Sequence, residues 1–566
     1  MLTLIQLKEN GEAPEWLDEP GYKTLLGGYL LEGETPRTAY QRVARTVANH
    51  FQDAAGLESK VFDYLWKNWI CLATPIMANL GTDRGLPISC NTIHLGDSLD
   101  SILQKNHELG MLSKYGAGVG VYLGDLRARG SKVRGTGGIS DGVLAWCKIL
   151  DSTCHSVTQG STRRGAAAVY LPIDHGDIED FIQMRRPVGD LNKRCLNINH
   201  GVCLTDDFMH KAISGDAKSR SLWKDLLLAR VETGEPYMFF SDNVDRQTPN
   251  HFKDKGLKVV TSNICNEIYL PTDKDHTFVC CILSMNASKW DAWCNTDAVE
   301  MAVHILEAAL TEYIRKAREL PGFQCAVRFA EKSRAIGIGV LGWHTLLQEK
   351  LVAFDSFDAM MLNAQIFKKL RTDAEKASRA MAVTYGEPEW CKGSGLRHGT
   401  LLAVAPTVSN STISGGVSAG IEAVAANMFV QKSAKGTFIK KNRTLEKLLA
   451  SKEKNTEEVW TQISKEGGSV QQLKCLSPEE KEIFLTAREI NQFAVIRQAA
   501  QRQKWIDQGQ SVNLFFAINS DPKYIHEVHL EAWKQGLKGL YYCRTDSVLK
   551  ADLASRQSDE CRACEA

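Results

Sequence analysis

Thr261-Ser262-Asn263-Ile264-Cys265-Asn266-Glu267-Ile268-Tyr269-Leu270-Pro271-Thr272 is the stretch on which the reading of this chain turns, with Val279-Cys280-Cys281-Ile282-Leu283-Ser284 following soon after. In extended backbone, side chains at i, i+2 and i+4 share one face. Asn263, Cys265 and Glu267 are therefore expected to point the same way. An amide, a thiol and a carboxylate on one face suit chemistry in which a sulfur attacks while a neighbouring base moves a proton. The spacing equally fits a half-buried strand carrying a core cysteine. By the same alternation, Cys280 and Cys281 point to opposite faces.

Other parts of the chain separate those readings. Ile88-Ser89-Cys90 lies far upstream; Tyr541-Tyr542 and Cys561-Arg562-Ala563-Cys564 lie far downstream. Together with Asn-x-Cys-x-Glu and Cys-x-Leu-Ser, in this order and from about residue 70 to the C-terminus, they resemble ribonucleotide reductase large subunits of the class I type. The resemblance implies an α/β fold. Its centre is a ten-stranded α/β barrel, built from two five-stranded parallel halves around a central finger loop. The expected division is a helical N-terminal region over 1–85, the barrel over 86–545 with a helical insertion at about 431–510, and a flexible redox tail over 546–566. Large subunits of this kind often begin with a nucleotide-binding cone. Only about 85 residues precede Cys90, so no cone and no on/off activity site are expected.

Composition bounds the alternatives. The 566 residues are 43% hydrophobic and 24% charged, ordinary for a globular protein. A net charge of +1 argues against direct nucleic-acid binding, which calls for a basic surplus. No apolar run approaches the roughly 18 residues that span a bilayer, and Met1 to Glu9 lacks the pattern of a signal peptide; a cytoplasmic home and no membrane contact are expected. Sixteen cysteines are many, but Cys147, Cys195, Cys203 and Cys294 sit singly in apolar or helical text, as buried thiols do. The lone Cys-x-x-Cys has no second ligand pair, so no metal site is expected.

Read in order, Thr38 to Phe51 and Lys60 to Ile70 have helical periodicity. Thr74-Pro75-Ile76-Met77 resembles a segment lining the substrate pocket, giving Thr74 and Ser89 as substrate contacts; a Thr-Pro turn explains the same residues. Asp97-Ser98 opens a helix. By resemblance this helix packs against a second copy in a homodimer. Asp97, Ser98, Leu99 and Lys114 would bind a regulatory nucleotide (dTTP, dGTP, dATP or ATP), although Asp97 also suits plain N-capping. Tyr115 to Gly124 carries four glycines at the wrong spacing for a dinucleotide fingerprint and reads as a Gly-rich strand. Arg127 and Arg134 lie in a basic loop whose guanidinium groups suit effector phosphates. Gln159 and Arg163 resemble the specificity loop between effector and substrate bases, a coupling between two sites. Ala405 to Gly416 is dense in hydroxyls and glycine and reads as a phosphate-cradling turn. Thr407, Val408, Ser409 and Asn410 are its substrate-binding residues by resemblance. Glu479 to Arg502 reads as one helix, Ser511 to Ile518 as a strand, and Leu537 to Cys543 as a final strand.

The implied activity is reduction of ribonucleoside diphosphates to 2′-deoxyribonucleotides for DNA precursor synthesis. Cys265 is then the transient thiyl, Glu267 takes the 3′-hydroxyl proton and Asn263 holds the sugar. Cys90 and Cys281 supply two electrons and become a disulfide, with Cys280 left to packing. Cys561 and Cys564 reduce that disulfide by exchange, and thioredoxin or glutaredoxin restores the tail. Tyr541 and Tyr542 relay the radical from a metal-containing small subunit. The alternative is an adenosylcobalamin-dependent reductase. Such enzymes characteristically lack the tyrosine pair and tend to carry Pro and Gly around the central cysteine, where this chain has Ile264 and Asn266.

Overall fold

The computed structural model describes residues 3–52, 54–159, 163–433, 436–517 and 519–545; the side chains of 54–55, 158–159, 163–164, 429–433 and 436–439 are not described. The chain opens with helices Leu4–Glu9, Glu19–Leu26, Pro36–Ala48, Ala54–Trp66 and Thr74–Asn79. Pro36 occupies the first turn of its helix, where its missing N–H costs nothing, and Thr35 accepts from Thr38 N at 3.2 Å. Val43, Ala44 and Val47 on that helix are fully enclosed.

Five parallel strands follow: Cys90–His94, Gly118–Tyr122, Ala166–Pro172, Asn199–Leu204 and Tyr237–Phe240. Most of their residues are buried, as expected for parallel strands covered on both faces. A second parallel set begins with Ile282–Asn286 beside Gly337–Leu341. It continues through the parallel bridges Ile338↔Leu402 and Val404↔Gln510 and ends with Leu514–Phe515 beside Cys543–Arg544.

Two segments close the barrel. Phe278–Cys280 pairs antiparallel with Cys90–His94, and the chain then runs straight into Ile282–Asn286 of the other half. Gly539–Leu540 pairs antiparallel with Tyr237–Phe240 and leads into Cys543–Arg544. The expected final strand over 537–543 is thus two short strands serving different halves, with Tyr541 and Tyr542 at the crossing. The architecture is the expected ten-stranded barrel.

Residues 261–271 are buried inside it yet form no strand. Backbone groups removed from water need partners, and side chains of the wall supply them. Thr92 Oγ1 donates to Ser262 O at 3.2 Å and Tyr170 OH to Asn263 O at 2.6 Å. Glycine makes the room. A Cβ on Gly118 would lie 2.9 Å from Ile264 Cγ2, and one on Gly120 would lie 2.4 Å from Ser262 O. The Gly-rich strand read from sequence therefore exists because the loop passes across it.

Other expectations change in detail. The supposed helical insertion opens as a β-hairpin, Met428–Ser433 with Gly436–Lys441. Leu445, Leu449, Trp460, Ile463 and Phe484 form a small core of their own. The helix read over 479–502 is two, Pro478–Ile483 and Gln492–Gln503. The chain between them turns so that Ala487 N bonds Val424 O at 2.8 Å, and Asn491 caps the second helix. That second helix belongs to the main core, with Asn363 Nδ2 on Gln498 O at 3.0 Å. Of Ser511 to Ile518 only Leu514–Phe515 pairs as a strand.

Gly120→Ala should destabilise the fold by about 1–3 kcal/mol through overpacking, read as a lowered urea midpoint. Gly138→Ala, where an added Cβ meets only Thr136 Oγ1 at 3.6 Å, should stay within about 0.5 kcal/mol of the parent.

Candidate functional site

The central motif is a turn rather than a strand. Asn266 N bonds Asn263 O at 3.3 Å, and Asn266 has φ +58°, a left-handed conformation that Asn tolerates better than most residues. Asn263 Oδ1 accepts from Glu267 N at 3.0 Å and Ile268 N at 3.1 Å, capping the turn with its own side chain. Alternation along a strand is therefore not what gathers Asn263, Cys265 and Glu267. The turn does so at the tip of a buried loop. Ser511, on the opposite half of the barrel, ties two of them: its Oγ donates to Cys265 O at 2.7 Å and lies 3.3 Å from Glu267 Oε2.

Cys90 lines the wall against this tip. The point where a Gly118 Cβ would sit is 3.6 Å from Cys90 Sγ and 2.9 Å from Ile264, the residue before Cys265. Across the antiparallel pair Cys90 stands in register with Cys280. Burial, with Cys90 and Glu267 adding to it, holds the Cys280 thiol far above the ordinary range. Cys281 points away: its Sγ donates to Leu306 O at 3.6 Å, and burial raises its thiol beside Arg334 and Glu307. The expected Cys90–Cys281 pairing is therefore corrected to Cys90–Cys280. Alternation did send the two cysteines to opposite faces. The pairing register decided which face looks inward.

Among the described residues, Asn263 Nδ2 and Asn410 Oδ1 are two of five buried amide atoms without a protein partner, the others being on Asn286, Gln508 and Gln510. Such atoms are costly unless something else satisfies them. Asn410 lies in Val408–Ile413, a short helix where a turn was expected. Thr407 enters it at φ +56° and accepts from Gly420 N at 2.7 Å. Ser411 and Thr412 close onto Val408 O. Val408 stays exposed and Ser409 half-buried. A cavity of about 420 Å³ adjoins this helix, lined among others by Val408, Ser411, Thr412, Lys440 and Arg443. Ser89 is buried next to Cys90, and Thr74 Oγ1 lies 2.8 Å from Tyr29 OH.

On the outer side, Asp97 accepts from Arg127 Nε at 2.9 Å and from Arg127 N at 3.3 Å, which places these two expected effector residues together. Ser98, not Asp97, caps the helix Leu99–Lys114. Leu99 is exposed at its start, and Arg134 is exposed in the loop beyond Arg127. Lys114 ends the same helix, about 22 Å from Leu99 at 1.5 Å per residue, so one chain does not bring it to Asp97. Gln159 and Arg163 fall in the short paired strands Thr158–Gln159 and Arg163–Arg164, with side chains outside the described residues. Cys561 and Cys564 lie outside the described residues altogether.

At the barrel crossing, the Tyr541 and Tyr542 ring centroids are 4.2 Å apart. Sequence reading missed their companions. Tyr237 packs 4.8 Å from Tyr541 and 5.1 Å from Tyr542. Asn199 Nδ2 donates to both Tyr237 OH and Tyr542 OH, the latter at 2.8 Å. Arg544 lies over the Tyr542 ring at 4.2 Å. Nothing in the local text around Asn199 or Tyr237 marks them; only the strand order of the sheet does. Among the described residues no His, Cys, Asp and Glu side chains group as a metal site, and no helix is long and apolar enough to cross a membrane.

Glu422 sits in this neighbourhood, bonded by Asn513 Nδ2 at 2.6 Å. Part of its side chain reaches solvent, but packing around the carboxylate pushes it up to about 7, with Arg544 and Asn513 opposing. A free glutamate titrates at about 4.3. The folded chain therefore binds the extra proton between those values, and stability is lost as pH rises through about 7. Glu422→Gln should flatten that limb: the urea midpoints at about pH 5.5 and about pH 8 should differ less than in the parent.

With this geometry in view, the comparisons are specific. Residues 88–219, 212–394 and 388–543 match the family model described as "Ribonucleotide reductase, barrel domain", and residues 15–85 match "Ribonucleotide reductase, all-alpha domain". The chain is 32% identical over 626 residues to the ribonucleoside-diphosphate reductase large subunit of Invertebrate iridescent virus 3, covering 98% of this chain and 96% of the relative. It is 28% identical over 609 residues to the large subunit of Danio rerio, covering 93% and 75%. Among solved structures, the Actinobacillus ureae class Id ribonucleotide reductase alpha subunit superposes with a TM-score of 0.88 at 40% identity, covering 95% of this chain and 99% of that one. A buried turn bearing Cys265, a facing thiol pair and a matching barrel agree with every one of these likenesses: the chain belongs to the ribonucleotide reductase family, as a large subunit.

Proposed function

We propose that this large subunit reduces ribonucleoside diphosphates to 2′-deoxyribonucleotides by thiyl-radical chemistry. The observation that carries the reading is the in-register thiol pair Cys90–Cys280 on the wall facing the Cys265–Glu267 turn. Hydroxide is a poor leaving group from C2′, and a radical at C3′ eases its departure. Cys265 takes the 3′ hydrogen and becomes a thiol. Glu267 accepts the 3′-hydroxyl proton, its carboxylate oriented by Ser511. Water leaves C2′ with a proton from one thiol of the pair, the second thiol gives its hydrogen to C2′, and the electron left on the two sulfurs reduces the 3′ carbonyl as Glu267 returns the 3′-hydroxyl proton. Cys90 and Cys280 give up two electrons and join as a disulfide, and Cys265 returns its hydrogen to C3′, regenerating the thiyl. The unspent amide atoms of Asn263 and Asn410 suit the sugar and phosphate ends of a nucleotide, with Thr74, Ser89, Thr407, Val408 and Ser409 completing the pocket.

The radical comes from a metal-containing small subunit through Tyr542 and Tyr541. Their packing with Tyr237 favours this over the adenosylcobalamin alternative, which needs no aromatic relay. Cys561 and Cys564 reduce the Cys90–Cys280 disulfide by exchange and are themselves restored by thioredoxin or glutaredoxin. Asp97 and Arg127, with Arg134, receive the effector nucleotide, and Gln159 and Arg163 pass its identity to the substrate base. Leu99 and Leu103, exposed at 62% and 50% on one helix, suit burial against a second copy in a homodimer.

Cys265→Ser should abolish turnover with small subunit, substrate and effector present, while effector affinity stays unchanged; surviving turnover would reject the mechanism. Cys280→Ser should likewise stop thioredoxin-driven and small-thiol-driven turnover alike, whereas Cys281→Ser should keep most of it. The opposite pattern would restore Cys281 as the redox partner. Turnover with adenosylcobalamin and no small subunit would establish the alternative.

A further inference from the structure

We propose that Asn266 is a positioning residue that sets the separation of Cys265 and Tyr541, and with it the rate at which the radical passes between them. This rests on the relay reading above. Asn266 is fully buried and is the residue after Cys265. Its Nδ2 donates to Met238 O and to Leu540 O, each at 3.0 Å. Those two carbonyls belong to residues paired across the strands that close the barrel, and Leu540 is the residue before Tyr541. A single side chain therefore ties the backbone beside the sulfur to the backbone beside the phenol.

The surroundings are built to receive it. Tyr269 OH donates to Asn266 O at 3.1 Å and lies 3.3 Å from Asn266 Oδ1. The facing strand has Gly539 where the amide arrives: a Cβ there would lie 2.6 Å from Asn266 Nδ2 and 2.3 Å from Tyr269 OH. With the left-handed φ of +58°, the side chain meets the two carbonyls of the closing strands. Among the described residues the Asn266 side chain bonds only Met238, Leu540 and Tyr269, none of them assigned to substrate, while its backbone N–H bonds Asn263 O.

A second tie closes a ring. Ser511 Oγ donates to Cys265 O at 2.7 Å, and Tyr541 N donates to Val512 O at 2.9 Å. Cys265 and Tyr541 are thus joined by two routes, through Asn266 and Leu540 and through Ser511 and Val512. Two short routes fix a separation where one leaves a hinge. A displacement of about 1 Å between reacting groups costs on the order of 100-fold in rate, so the energetic stake in this ring is the transfer step and not substrate affinity.

The test uses the full-length chain with its radical-bearing small subunit. Asn266→Gly keeps the left-handed turn and removes both bonds; Asn266→Asp keeps the size and replaces the donor with an acceptor facing two carbonyls. For each, kcat, KM and effector affinity are measured. The small subunit's radical signal is followed by electron paramagnetic resonance during reaction with a 2′-azido substrate analogue, which consumes a thiyl irreversibly. The expected result is a fall of about 10- to 100-fold in kcat and in radical loss together, with KM and effector affinity unchanged. A fall in kcat with radical loss at the parental rate, a change confined to KM, or parental turnover in both variants would overturn the proposal. Tyr541→Phe separates the two claims. If it stops radical loss, the relay stands and the Asn266 variants are decisive. If it leaves radical loss intact, the relay itself is wrong and the positioning role falls with it.

Discussion

A loop with no strand partners lies inside the barrel, and the molecule is arranged around satisfying it. Backbone amides and carbonyls buried without partners would each cost about 1–3 kcal/mol. Here the partners are side chains and backbone from both halves of the wall: Thr92 and Tyr170 on one side, Ser511 and Gly509 on the other. The loop adds its own, through Asn263, Ser262 and Tyr269. This explains why hydroxyl-bearing residues appear among otherwise apolar barrel strands, and why Gly118 and Gly120 lack side chains where the loop crosses.

The same constraint creates the chemistry. A loop anchored to both halves places its tip at the one location reachable from the wall, the closing strands and the opposite sheet. Cys90 and Cys280 face each other because one strand of the first half pairs antiparallel with the segment that leaves for the second. Tyr541 and Tyr542 lie where the other closing segment crosses. Both reactive clusters therefore occupy the seams between halves. A seam is where the chain changes sheets and ladder pairing is interrupted, so side chains there are free to serve functions other than packing.

Charge is distributed by the same logic. Glu307 is buried under the second half. Its burial is outweighed by hydrogen bonding from His398 and by Arg334 and Arg397, which keep its carboxyl far below the usual range. Glu422 near the tyrosines has weaker compensation and moves the other way, to about 7. Two glutamates on one scaffold differ because one has guanidinium groups at hydrogen-bond distance, while the other is hydrogen-bonded by an amide and feels Arg544 only through space.

Residue types and their order were legible in the text of the chain. The Asn-x-Cys-x-Glu motif, the upstream Ser89-Cys90 and the paired tyrosines carry their chemistry in composition and spacing, and the Gly-rich strand within Tyr115 to Gly124 was readable in place. Geometry was not. Period-two alternation places Cys280 and Cys281 on opposite faces but is blind to which face looks inward, because that depends on register with a strand some 190 residues away. Extended spacing suggested a strand at 263–267 because local propensity cannot foresee a loop stabilised by distant hydroxyls. Asn199 and Tyr237 gave no local sign, since their role comes from sheet order. What the amino-acid sequence determined alone was the inventory of reactive groups and their order, and the barrel was expected only through the family resemblance that this order carries. What tertiary structure decided was which of those groups meet, because contact between remote segments is set by pairing register and chain crossing, and neither leaves a mark in nearby residues.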